Sequence, residues 1–87
     1  MILIIIYKLR SIMEKRNLTE SQKGSLNTIL KINASGALKQ RLLSFGIIKG
    51  AQVELLEYSP TKSTVEIRVG KMSIALRHEE AELIEVQ

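Results

Sequence analysis

The sequence predicts a mostly β protein, a small antiparallel barrel of about five strands with one α-helix at Ser35–Phe45. Three observations carry that prediction. The apolar residues are 45% of the 87, yet only one is Phe, two are Tyr and none is Trp, so branched aliphatics dominate. Such residues fit a pleated, half-buried surface. Strict alternation appears at Thr64–Val69 and again at Met72–Leu76. A period of three to four appears in one place alone, the Ser35–Phe45 stretch.

Taken in order, Asn17–Gly24 is polar and reads as one helical turn, with Thr19 and Ser21 as caps and Gly24 as its stop. Ser25–Asn33 is rich in β-branched residues and nearly alternates, as a strand does. In the helix, Ser35 takes the N-cap position, and Leu38, Leu42 and Phe45 share one face at i, i+4 and i+7. Lys39, Gln40 and Arg41 fall mostly on the other face. Gly46 stands where a helix ends in positive φ, a conformation that any Cβ would strain.

Beyond Gln52 the chain turns to strands. Gln52–Tyr58 places Val53 and Leu55 on one face, and Ser59–Ser63 is a polar loop with Pro60 in its turn. Thr64–Val69 directs Val65, Ile67 and Val69 inward. Gly70-Lys71 has the glycine-first form of a type II′ hairpin turn, and Met72, Ile74 and Leu76 form the inward face of the return strand. His78–Ala81 reads as a helical turn and Leu83–Val86 as a closing strand. A chain this short buries only about 60% of its unfolded surface. Five short strands therefore do better curled into a barrel than laid open, because curling also hides strand edges. The expected core is Leu38, Leu42, Phe45, Val53, Leu55, Val65, Ile67, Ile74, Leu76 and Ile84.

Composition excludes several functions. With no cysteine, disulfides, thiolate metal sites and cysteine nucleophiles are all absent, and a reducing cytoplasm is the expected compartment. One histidine and no aspartate leave no catalytic triad, and no Gly-x-x-x-x-Gly-Lys-Ser/Thr run cradles a phosphate. The sequence predicts no enzyme and no cofactor. The formal charge of +4 includes Lys8 and Arg10 near the start, while Glu79, Glu80, Glu82 and Glu85 make the end acidic, so the chain is no polycation.

Ile2–Ile6 is apolar but far short of the roughly 20 residues that span a bilayer. Its positive charges follow the apolar run, the reverse of a signal peptide. Met13 opens a polar segment, so residues 1–12 read as an upstream extension and 13–87 as the domain. The rival reading makes residues 1–12 an edge strand that pairs with another copy, giving a homo-oligomer.

Several fragments together resemble one family. Leu18 and Gly24 fit its opening, Arg41-Leu42-Leu43-Ser44-Phe45-Gly46-Ile47-Ile48-Lys49-Gly50 its central motif, and Ile74-Ala75-Leu76-Arg77 its late strand. Glu80-Ala81-Glu82-Leu83-Ile84-Glu85-Val86 fits its end. The stretch resembles the FeoA family and the related SH3-like domain at the C-terminus of some iron-dependent repressors. Phe45 stands where leucine is commoner, and residues 1–12 have no family counterpart. The resemblance implies an SH3-like barrel, cytoplasmic, that binds and modulates the ferrous-iron transporter FeoB through its cytoplasmic, GTP-binding part. The alternative is a nucleic-acid-binding barrel or the regulatory domain of a metal-dependent repressor. Its basic side chains would contact phosphates, but Tyr58 is the one aromatic placed for base stacking, so no nucleic acid is expected.

Arg41, Ile47, Ile48 and Lys49 are the expected partner-binding residues. Of Ile47 and Ile48, one points inward and the other joins the charged side chains, a mixture common at interfaces; in the rival reading both pack under the barrel. Arg41 has its own rival role, a brace to Glu54 or Glu82. For metal, His78 and Glu82 share a helical face, but two exposed ligands form no iron site, and the expectation is none.

Overall fold

The computed structural model describes residues 16–87, so the expectations for residues 1–12 lie outside the described residues. The chain is mostly β. Six strands form a sheet in the order β1-β6-β2-β3-β4-β5, all neighbours antiparallel. The strands are β1 (Arg16–Asn17), β2 (Leu26–Ile32), β3 (Gln52–Tyr58), β4 (Thr64–Val69), β5 (Met72–Arg77) and β6 (Ile84–Val86). The two-residue β1 adds to the strands read from sequence. Between strands lie a short 3-10 turn (Leu18–Glu20), the main helix α1 (Gly36–Ser44) and a single-turn α2 (His78–Ala81).

One strand makes the sheet fold on itself. The first half of β2, Leu26–Thr28, pairs with β3, and its second half, from Ile29, pairs with β6. The register against β6 shifts between Ile29 and Lys31, leaving Leu30 as the extra residue of a bulge. Bulges bend a strand and increase its twist. A second shift, between Leu55 and Glu57, bends β3.

The first turn differs from the sequence expectation in its cap. Asn17, not Thr19 or Ser21, caps it: the Asn17 side chain accepts from Thr19 N–H at 2.9 Å, and Glu20 accepts the Asn17 N–H at 3.0 Å. Ser21 lies beyond the turn, buried against Asn27, and Leu18 is fully buried.

Ser35 holds the N-cap position of α1 but makes no side-chain capping bond. The stop is as read. Gly46 has φ of +85°, its N–H donates to Leu43 C=O at 3.0 Å, and Ile47 N–H donates to Leu42 C=O at 3.1 Å. That pair of bonds is the Schellman closure. At Gly70, φ is +60°, while Lys71 is not among the residues of positive φ, so the β4–β5 turn is type II′.

Leu42, Val53, Leu55, Val65, Ile67, Leu76 and Ile84 are buried as expected, joined by Leu18, Ile29, Ile47, Ala81 and Val86. Full burial of such aliphatics stabilises by about 1.5–3 kcal/mol each. Leu38, Phe45 and Ile74 are half-buried and pack on the outside of that cluster.

Candidate functional site

The expected partner-binding residues separate in the structure. Ile47 is fully buried in the core, whereas Ile48 is 48% exposed. Arg41, in the last turn of α1, pairs with Glu80, and neither Glu54 nor Glu82 is its partner. Glu54 pairs with Arg68 at 3.5 Å and Glu82 with His78 at 2.7 Å. Glu80 is held ready for Arg41, since its other oxygen accepts Arg77 N–H at 2.9 Å. Of the four, Lys49 lines the groove between the main helix and β2.

That groove, about 480 Å³, lies between α1 and the second half of β2 and is lined by Leu30, Lys31, Ile32, Lys39, Leu43 and Lys49. Each side is positioned by a local rule. Lys39 and Leu43 stand at i and i+4 and so share one face of α1. The bulge supplies the other wall, because three consecutive β2 residues reach the groove around the irregular Leu30. Lys49 sits in a turn fastened to β2, where Gly50 N–H donates to Ile29 C=O at 2.7 Å and Ala51 N–H to Ile48 C=O at 3.0 Å.

The groove is apolar at its floor and positive at its rim. Leu30, Ile32 and Leu43 are half-buried, and the three lysines are exposed. Among the described residues, none of these lysines has a carboxylate within 4.0 Å. Glu85 lies across from Lys31 in the ladder, but it accepts from Asn33 Nδ2 at 3.3 Å. The sequence pointed to Lys49 and missed the rest of the lining. The Lys39–Leu43 spacing was a visible signal; the bulge was not.

His78, Glu82 and Tyr58 each have a partner within the chain. His78 and Glu82 pair across one turn, and no group of three metal-ligating side chains occurs among the described residues. The Tyr58 hydroxyl donates to Ser21 C=O at 2.5 Å and lies 3.1 Å from Thr19 C=O, so this ring is tied to the first turn.

Known proteins share both sequence and shape with this chain. Fe(2+) transport protein A of Helicobacter pylori is 39% identical over 71 residues, covering 80% of this chain and 93% of that protein. A fusion of Fe(2+) transport protein A and the Fe(2+) transporter FeoB, from Porphyromonas gingivalis, is 27% identical over 70 residues, 80% of this chain and 8% of the fusion. The crystal structure of Stenotrophomonas maltophilia FeoA complexed with zinc, described as a prokaryotic SH3-domain protein, aligns with a TM-score of 0.72 and 25% identity over 82% of this chain and 88% of that one. The bent six-strand sheet and single main helix are thus the SH3-like fold that the sequence led one to expect. The FeoA domain matches from Arg16, where the described fold starts, through Gln87, and this chain belongs to the FeoA family.

Proposed function

We propose that this chain is a cytoplasmic, non-enzymatic accessory protein of bacterial ferrous-iron uptake that binds the cytoplasmic part of a FeoB-type transporter and modulates it. The observation that carries the reading is the Porphyromonas gingivalis relative, in which the two kinds of protein share one polypeptide. Fusion raises the effective concentration of two modules that meet, without any new contact. The side chains fit a binding role better than a chemical one, because His78, Glu80, Arg41 and Tyr58 are engaged in holding the fold. No helix among the described residues is long and apolar enough to cross a membrane. The working domain starts at Met13, with residues 1–12 outside it.

The test is an NMR titration of the isotope-labelled full chain with the cytoplasmic GTP-binding domain of the same organism's transporter, with and without nucleotide. Shifts confined to one face are expected. No shift at any concentration, in either nucleotide state, overturns the reading.

A further inference from the structure

We propose that the groove between α1 and β2 receives an acidic amphipathic segment of the partner, apolar side chains on Leu30, Ile32 and Leu43 and carboxylates on Lys31, Lys39 and Lys49. This rests on the partner reading above and gives it a place and a chemistry. The observation is the pairing of an apolar floor with three positive side chains that no carboxylate of the described residues neutralises. The contrast with the groove on the far part of the sheet is instructive. That groove also holds an exposed leucine, Leu26, but its charges, Glu54 and Arg68, already answer one another at 3.5 Å. Arg41 points the same way: it belongs to the same helix as Lys39, yet it is committed to Glu80. Lys62, Lys71 and Arg77 are also in no ion pair among the described residues, but only Lys31, Lys39 and Lys49 stand around this apolar floor.

The groove offers side chains from two elements and a turn, and side-chain recognition is the mode that uses them. β2 is paired with β3 along its first half and with β6 along its second, and the Ile48–Ala51 turn covers the point of transfer. An amphipathic segment laid into an apolar groove, with its charges on the rim, is a recurring mode of peptide recognition. Complementary charge of this kind speeds encounter and sets register.

The experiment uses the full chain and the transporter's cytoplasmic domain, with affinity read by calorimetry. Three variants are compared with the unaltered chain: Lys39→Glu with Lys49→Glu, Leu43→Asn, and Lys62→Glu with Lys71→Glu as a charge-matched control outside the groove. Circular dichroism melts confirm that each is folded. The groove variants are expected to lose about tenfold or more in affinity, and the control to stay within about twofold. Equal losses for groove and control overturn the proposal in favour of unspecific charge attraction. Binding that survives in both groove variants leaves the partner standing and removes the groove. An unaltered chain that does not bind removes both readings. Two further arms separate other occupants. Groove-dependent binding to phosphatidylcholine–phosphatidylglycerol vesicles, with the protein domain unaffected, overturns the proposal in favour of a lipid surface. Groove-dependent self-association by light scattering does so in favour of a second copy.

Discussion

The Arg41 guanidinium closes on the Glu80 carboxylate, joining the end of α1 to the single turn that leads into β6. Glu80 carries two duties, because its second oxygen caps the Arg77 N–H. The Arg41 side chain is half exposed and that of Glu80 largely covered. Removing Glu80 therefore costs more than removing Arg41. Glu80→Ala is expected to lose about 1–2 kcal/mol, with the cap lost as well as the pair. Arg41→Ala is expected to lose less than about 1 kcal/mol, the range of a partly exposed ion pair. Urea midpoints for both variants and their double mutant measure the coupling; equal losses would show that the cap contributes nothing.

Gly46 and Gly50 both stand at positive φ, +85° and +88°. Any Cβ there meets backbone strain of about 1–2 kcal/mol. At Gly50 the space around an added Cβ is open, while at Gly46 it would lie 3.6 Å from Val69 Cγ1. A β-branched side chain at Gly46 extends into that contact. Gly46→Val is expected to melt lower than Gly50→Ala, and matching melting temperatures would refute the argument.

Asn27 is fully buried and answers four atoms. Its Oδ1 accepts from Arg16 Nη2 at 2.9 Å and Ser21 Oγ at 3.1 Å, and its Nδ2 reaches Ser25 Oγ at 3.0 Å and Ser25 C=O at 3.4 Å. Asn27→Leu strands the buried Ser21 hydroxyl and is expected to cost about 1–3 kcal/mol. The loss is local in character, since Arg16 and Ser21 belong to the segment leading into β2. Amide exchange at Leu18–Ser21 should quicken more than at Val65–Val69, and a uniform change would contradict this.

Burial holds the Tyr58 phenol above its usual value of 10.0. The folded chain thus keeps a proton that the unfolded chain releases in alkali. This contribution is complete below pH ~10 and declines as the pH rises through the raised folded value. Tyr58→Phe should cost about 0.5–1.5 kcal/mol at neutral pH through the lost hydroxyl bond. It should also flatten the fall of stability above pH ~10. Denaturant titrations at several alkaline pH values compare the slopes; parallel slopes would assign the alkaline loss elsewhere.

Local features were the legible part of this fold. The helix stop at Gly46, the Gly70-Lys71 turn and the inward face of β4 each depend on residues close together in sequence, and each lies where the pattern put it. On β5, Leu76 is buried and Ile74 half-buried, but Met72, expected inward, is 47% exposed where the strand leaves the hairpin turn. The harder part involves distant partners. Nothing in the alternation of Ser25–Asn33 announces the slip at Leu30, and that slip decides which β2 side chains enter the groove. For Ile47 and Ile48, two identical side chains, the sequence leaves open whether one or both go inside; the Schellman closure turns Ile47 inward and leaves Ile48 exposed. Arg41 has several glutamates within the chain's reach, and its choice of Glu80 depends on how α2 sits against α1.

The sharing of β2 between two ladders also bears on the order of assembly. β3, β4 and β5 are joined by short turns and can meet as soon as they are made. β2 gains its second neighbour only when β6 arrives, and Ile29 then pairs with Val86 from the opposite end of the described chain. Contacts so distant carry a large loop-closure cost and slow the folding of small barrels. On this order the meander forms first, and the β6 side of β2 stays unoccupied until Val86 reaches it. The wall of the groove, built on that half of β2, is then the last part of the described fold to take its shape.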